Sequence, residues 1–382
     1  MKIVIASDKF KGTLTGAEVA AALTRGLQRV IPDGQILTIP VADGGEGTVQ
    51  AALASGYSAQ QVEVTGPTGQ RIEASYALHG EQAVIEMAAA SGLEQLPEQR
   101  MEPLTATSYG TGELITHALA TGARQIILGV GGSATTDAGA GMLQALGVSL
   151  TDRHGMELPG GGAALAELEH IDLRNINPAL RQASMVLAAD VDNPLTGARG
   201  AAKIFGPQKG ASPQDVQRLD AALEHFADLL EQQLGTRSRN TPGAGAAGGM
   251  GFAAIALLGA ERRRGIDVVL ELTGLARALE GADAVITGEG SLDQQSLEGK
   301  TPIGVSEMAF AHGVPVYAVC GRTTLNEHEL RGAGIRHTIA LVDLVKDPAE
   351  AMTRSHQLVA AAAEHLADFI LAEHTANTAH HH

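Results

Sequence analysis

The chain opens on a short β-branched run, Lys2–Ala6, and then switches to helical spacing, with Val19, Leu23, Leu27 and Val30 on one face. Ser7–Gly12 is a polar turn between them. Thr15 and Glu18 have the spacing of a capping box, which predicts where the first helix starts. A second strand is read over Gln35–Pro40, followed by the turn Asp43-Gly44-Gly45-Glu46-Gly47-Thr48 and a helix to about Ala54. Strand, glycine turn and helix, repeated, is the pattern of a parallel βαβ sheet. After Gly66-Pro67-Thr68-Gly69 the rhythm changes. Arg71–Leu78 and Ala83–Glu86 are strands joined over His79-Gly80 as a hairpin. A helix follows around Gly112–Thr121, then buried strands at Ile126–Val130 and Met185–Ala189, and a long amphipathic helix at Pro213–Leu234. Arg237–Gly251 is rich in Gly, Ala and Ser and reads as a linker or a ligand loop. Alternation then returns, with a helix at Ile266–Leu279, strands at Ala284–Thr287, Pro315–Val319 and His337–Val342, and a closing helix at Ala349–Ala372.

The simplest organisation is two different α/β domains. Residues 1–66 plus 266–376 form a Rossmann-like parallel-sheet domain from both chain ends, and a larger mixed α/β domain, 67–265, is inserted. Residues 377–382 are a tail, and His380-His381-His382 reads as the stub of an expression tag. This organisation requires Ile3–Ala6 to share a sheet with the Ala284 and Pro315 strands and not with Ile126–Val130. The length, 382 residues, agrees with two domains at ~150 residues each.

Composition narrows the chemistry. Lys+Arg 27 against Asp+Glu 43 gives −16, which opposes a broad grip on nucleic acid or on anionic membrane surfaces. The single cysteine, Cys320, permits neither an intrachain disulfide nor a cysteine-based zinc cluster, and fits a reducing compartment. No segment approaches the ~18 apolar residues of a membrane span. The apolar opening, Ile3–Ala6, is too short for a secretory signal. A soluble cytoplasmic protein is expected, monomeric or homodimeric. Glycine is 47 of 382 residues, and there is no Trp. Backbone amides are therefore better supplied than aromatic platforms, which leans towards a phosphate-bearing ligand.

Ligands of open α/β sheets sit beyond the carboxyl ends of the strands. Polar, glycine-rich clusters follow five predicted strands: Asp8-Lys9; Asp43 and Glu46; Ser133, Thr135 and Asp137; Asp190, Asp192 and Asn193; Glu289, Ser291 and Asp293. One such cluster is ordinary turn chemistry; five at strand ends describe a site. The chain has seven Lys, and four of them, Lys9, Lys11, Lys209 and Lys300, lie in glycine-bearing segments, where a compact cation suits a phosphate. Converging carboxylates and lysines match phosphoryl transfer, with Mg²⁺ held by one or two carboxylates and phosphate oxygens. Asp190 and Asp192, two positions apart after a buried strand, are read as aimed to one side for metal binding or hydroxyl deprotonation. Walker A, Gly-x-Gly-x-x-Gly, His-Arg-Asp, Gly-x-Ser-x-Gly and His-Glu-x-x-His patterns are all absent.

As ordered text these clusters are more specific. Ser7-Asp8-Lys9-Phe10-Lys11-Gly12, Asp43-Gly44-Gly45-Glu46-Gly47-Thr48, Gly131-Gly132-Ser133-Ala134-Thr135-Thr136-Asp137 and Asp190-Val191-Asp192-Asn193-Pro194-Leu195 resemble the type 1 glycerate kinase family. So do Phe205-Gly206-Pro207-Gln208-Lys209-Gly210-Ala211, Gly243–Gly251, Thr287-Gly288-Glu289-Gly290 and Gly299-Lys300-Thr301-Pro302. The resemblance implies two α/β domains, and ATP with Mg²⁺ phosphorylating the 2-hydroxyl of D-glycerate. Under it, Asp190, Asp192, Lys209 and Lys11 are expected to be catalytic, with Asp190 and Asp192 also meeting the metal. Asp8, Lys9, Ser133, Thr135, Asp137, Asn193 and Lys300 are expected at substrate or phosphate. Asp43, Gly44, Gly45, Glu46, Gly288, Glu289 and Asp293 are expected at the nucleotide. Lys9 and Ser291 depart from the family pattern, which often has Ser and Arg there. A kinase of another small hydroxy acid and a non-catalytic sugar-acid sensor are the alternatives.

Overall fold

The computed structural model describes residues 1–379; within the tail, 377–379 continue the last helix, and His380-His381-His382 lie outside the described residues. In chain order the strands are β1 (Lys2–Ser7), β2 (Gln35–Thr38), β3 (Ser58–Thr65), β4 (Arg71–His79), β5 (Gln82–Glu86), β6 (Gln125–Gly129), β7 (Ser149–Thr151), β8 (His170–Asp172), β9 (Ser184–Ala188), β10 (Glu261–Arg263), β11 (Ala284–Leu292), β12 (Val316–Thr323) and β13 (Ile335–Ala340). The chain divides into two compact units, Met1–Asp43 with Ile266 onwards, and Gly44–Gly265.

The first unit is built on a five-stranded parallel sheet in the order β13-β12-β11-β1-β2. On β1, Ile3 and Ile5 join one core with Val19, Leu23 and Leu27 of the first helix and Val359 and Leu366 of the last. Val4 and Ala6 join the opposite core with Ile266, Leu270 and Val305. Both faces are thus covered, so the strand is a continuous apolar run without alternation. β1 pairs with β11 and β11 with β12, the arrangement that the insertion reading requires. Thr15 and Glu18 form the capping box at the start of Gly16–Val30.

The second unit carries a six-stranded mixed sheet, β10-β9-β6-β5-β4-β3, and a two-stranded sheet, β7-β8. β3, β4 and β5 run antiparallel; β5, β6, β9 and β10 run parallel. The units part after Asp43 and not after Gly66. The reason is β3, which pairs with β4 along its whole length, from Ser58↔Leu78 to Thr65↔Arg71. β3 is a half-exposed edge strand whose Gln60-Gln61 pair conceals its alternation. Arg237–Gly251 starts as an irregular, partly exposed stretch and is buried from Gly243; Ala247, Gly248 and Gly249 have left-handed backbone (φ +51°, +65° and +93°) before regular helix runs to Ala256. Two helices read as continuous are broken. Gly274, at φ +71°, separates Gly265–Thr273 from Leu275–Leu279, and Arg354 separates Pro348–Thr353 from Ser355–Ala379. Among the described residues no helix is long and apolar enough to cross a membrane.

Candidate functional site

The first unit carries eight of the expected residues, Asp8, Lys9, Lys11, Asp43, Gly288, Glu289, Asp293 and Lys300; Glu289, read as following its strand, lies inside β11, which runs on to Leu292. The register Ser7↔Gly288 sets Asp8 and Glu289 side by side, and the Asp8 N–H donates to Gly288 O at 2.9 Å. Asp8 accepts from the Lys9 N–H at 2.7 Å and from Thr301 Oγ1 at 3.0 Å, at the start of the helix Thr301–Ala311. Burial, reinforced by Asp43, pushes the Asp8 carboxyl up to about 6. Burial also raises Glu289 to about 7; Asp8 and Asp293 push the same way, while Ser296, which donates to it, and Lys300 pull against. Asp293 accepts from the N–H groups of Gln295 (3.0 Å) and Ser296 (3.3 Å), so it shapes the turn as well. Lys11 is exposed, and Lys300 Nζ lies 3.5 Å from Gln295 Oε1. At Ser291, where the resemblance leads one to expect Arg, the neighbouring strand supplies Arg322, whose Nε donates to Ser291 Oγ at 3.3 Å.

The raised Glu289 carboxyl has a measurable consequence. Folded protein keeps its proton up to about pH 7, while the unfolded chain releases it near 4.5, so stability falls as pH rises through that window. Glu289→Gln is therefore expected to stabilise the protein by ~1–3 kcal/mol at pH 8, a figure discounted for partial exposure, with the gain gone near pH 4.5. Urea unfolding at both pH values checks it; an equal effect at the two would contradict the assignment.

In the second unit the register Gly129↔Ala188 brings the loops after β6 and β9 out side by side. Gly131–Asp137 leaves β6, and Lys209 reaches it from the turn Pro207–Lys209. Lys209 is only 2% exposed, and its Nζ donates to Ser133 Oγ at 2.7 Å and to Thr135 O at 2.6 Å. Burial lowers its amine to about 7, with the Asp137 carboxylate acting in the opposite direction. Asp137 is wholly enclosed, which holds its carboxyl above the usual range. The donations from Ser108 N (2.8 Å), Ser108 Oγ (2.7 Å), Gly139 N (3.1 Å) and Gly141 N (3.3 Å) pull it back. Asp137 therefore anchors the loop to Ser108 and to the start of the helix Ala140–Ala145; it does not face a ligand, contrary to the expectation from sequence.

This loop rests on Gly248. A Cβ at Gly248, where φ is +65°, would lie 1.9 Å from Thr135 O. Gly248→Ala is expected to cost about 1–3 kcal/mol in urea unfolding, as overpacking does. Wild-type stability would show that the loop yields freely.

Beyond β9, Asp190 accepts from the Gly265 N–H at 2.8 Å, whereas Asp192, 64% exposed, pairs with Arg262 at 2.6 Å. Gly265 is thus among the partners of Asp190, and Arg262 is that of Asp192. Asn193 Nδ2 donates to Arg199 O at 2.8 Å, a loop-closing role. Gly44 packs on the same stretch: its Cβ would lie 2.2 Å from Gly265 Cα, and one on Gly131 would lie 2.9 Å from Gly45 Cα. The Gly44-Gly45 turn is thus held between the Asp190 region and the β6 loop, with Glu46 exposed beside it. Sequence reasoning missed Glu86. From the end of β5 its carboxylate accepts from Gly47 N (3.1 Å) and Val49 N (2.7 Å), pinning the helix Thr48–Ala54. Its only sequence signal was a carboxylate closing a buried strand. Among the described residues no His, Cys, Asp or Glu group of three or more is placed to hold a metal.

Two α/β units carrying carboxylates, lysines and glycine turns at the ends of parallel strands have the form of an α/β enzyme. The glycerate kinase family model matches residues 3–371. The glycerate kinase of Bacillus subtilis (strain 168) is 45% identical over 372 residues, 94% of this chain and 97% of that protein. The glycerate 2-kinase of Escherichia coli (strain K12) is 44% identical over 370 residues, 96% of this chain and 97% of that protein. The crystal structure of a putative glycerate kinase 2 from Salmonella typhimurium LT2 superposes with a TM-score of 0.87 at 43% identity, covering 98% of this chain and 99% of that one. The chain belongs to the glycerate kinase family, and it is an enzyme.

Proposed function

We propose that the protein transfers the γ-phosphoryl group of ATP to the 2-hydroxyl of D-glycerate, giving 2-phosphoglycerate and ADP. The observation that carries this reading is the family match over residues 3–371. The 2-position follows the relative named glycerate 2-kinase. Phosphoryl transfer needs positioning and charge compensation more than covalent chemistry from the protein. Ser133 and the glycines beside it supply donors for an oxyanion, and exposed Lys11 supplies a mobile cation, with Lys9 and Lys300 in the same unit. Asp190 takes the general-base or metal-facing role. Asp43, Glu46, Glu289 and Asp293 serve the nucleotide or its metal.

The donor set fits Mg²⁺ of the kind that arrives on phosphates, which asks for one or two carboxylates and not a dedicated cage. Asp190, just after β9, would hold it. When bound, the ion neutralises charge developing on the transferred group.

A panel of hydroxy acids with MgATP, with ³¹P NMR of the products, tests the reading. D-glycerate is expected to turn over best, with the new phosphate on the 2-oxygen. Phosphate on the 3-oxygen, or a higher kcat/KM for another hydroxy acid, would replace the assignment. No turnover with any of them would favour a binding protein.

A further inference from the structure

We propose that Ser133 donates its hydroxyl hydrogen to an oxyanion of a substrate, and that buried Lys209 is the positioning residue that fixes the direction of this donation. The inference deepens the kinase reading and rests on it only for which oxyanions are tried.

Below about pH 7 the Lys209 amine is an ammonium, which only donates, so in the 2.7 Å contact with Lys209 Nζ the Ser133 Oγ is the acceptor. The hydroxyl has one hydrogen, which that contact turns away from the lysine. Among the described residues nothing accepts it. Lys209 is held in place by its second donation, to Thr135 O at 2.6 Å, so it cannot swing to release Ser133. The hydroxyls of Thr135 and Thr136, both wholly buried in the same loop, also have no partner among the described residues. Two more positions that accept or donate thus stand unpaired beside a buried cation.

A hydroxyl hydrogen left without an acceptor is costly, and at Ser133, which is not wholly buried, an arriving acceptor would relieve that cost. The charge balance specifies the acceptor further. Asp137 is the carboxylate that acts on Lys209, yet its own oxygens are engaged by Ser108, Gly139 and Gly141. An incoming oxyanion would pair with the lysine charge through Ser133, and hydrogen bonds between ionised and polar groups are the strong ones. Ser133 is 7% exposed and Lys209 2%, so the serine is the more open of the two, which suits it as the contact and the lysine as its support.

A phosphate of the nucleotide and the carboxylate of the hydroxy acid share this chemistry. The test is isothermal titration of the full chain with ADP, inorganic phosphate and D-glycerate in turn, on wild type, Ser133→Ala, Ser133→Thr, Lys209→Met and the Ser133→Ala/Lys209→Met pair. Ser133→Ala is expected to weaken binding about 10- to 100-fold for the oxyanion it contacts, leaving the other within about two-fold. Loss with ADP and phosphate identifies the phosphate; loss with D-glycerate identifies the carboxylate. Ser133→Thr, which keeps the hydroxyl, is expected to recover most of the loss, which a purely structural defect would not show. The Lys209→Met loss should largely vanish in the Ser133→Ala background, because the lysine acts through the serine. The inference is overturned if Ser133→Ala binds every anion that wild type binds with unchanged affinity, or if the two losses add. Wild type failing to bind D-glycerate while binding ADP counts against the proposed substrate and leaves the ADP and phosphate arms to judge Ser133; binding of none of the three counts against both.

Discussion

Asp190→Asn is expected to lower kcat by about 10²-fold or more with the fold intact, the loss typical of a missing general base. Asparagine keeps the carbonyl oxygen that accepts the Gly265 N–H at 2.8 Å, so the join between the β9 loop and Gly265 survives. What disappears is the charge and the basicity. Asp192→Asn is the contrasting variant. Its carboxylate is 64% exposed and paired with Arg262 at 2.6 Å, so its loss should stay within roughly five-fold, as befits a surface ion pair. Steady-state kinetics on both variants, with circular dichroism to verify folding, decide the matter. Wild-type turnover in Asp190→Asn removes that residue from the chemistry, and a larger loss in Asp192→Asn reverses the two roles.

Lys209→Ala is expected to lose about 10- to 10³-fold in kcat/KM, equivalent to ~1.4–4 kcal/mol of transition-state stabilisation. The variant strips the cation from Ser133 Oγ and Thr135 O together and leaves a hole where a long buried side chain lay. Lys209→Arg should recover only part of it, because a planar fork does not fit a pocket shaped round one ammonium. The pH dependence separates the charge from the packing. Burial lowers the folded amine to about 7 against 10.5 for a solvated lysine, with Asp137 the carboxylate facing it. Between those values the unfolded chain binds the extra proton, so this group's contribution to stability rises with pH across that window, and its penalty is complete below about pH 7. Lys209→Met should therefore compare most favourably with wild type near pH 6 and keep only part of that relative advantage at pH 9. Urea unfolding of both at the two pH values measures it. Equal slopes with pH would mean that the lysine is not carrying a buried charge.

Much of the architecture was legible because it is encoded locally. The Thr15–Glu18 capping box, the apolar run of β1 and the amphipathic helix Pro213–Leu234 each depend on residues a few positions apart. So do the glycine turns after the strands, which located Asp8, Ser133 and Asp190 beyond strand ends, whereas Glu289 falls inside β11. β3 was hidden because an edge strand with one solvated face need not advertise itself, and the unit boundary moved with it. Glu86 was hidden because its partners, Gly47 and Val49, lie 39 and 37 positions away.

Residue type and order by themselves determined the insertion of one α/β unit into another and the family. Only the tertiary structure decided what each polar residue does. Lys209 lies 76 positions from Ser133 and 74 from Thr135, and nothing in Gln-Lys-Gly says that it is buried against them. Asp137 looked like a ligand in its motif and is a buried anchor, while Asp190 has Gly265 among its partners and Asp192 has Arg262. The reason is physical: periodicity and turn chemistry are short-range, but burial, and with it the meaning of a charge, is set by whatever distant segment packs over it.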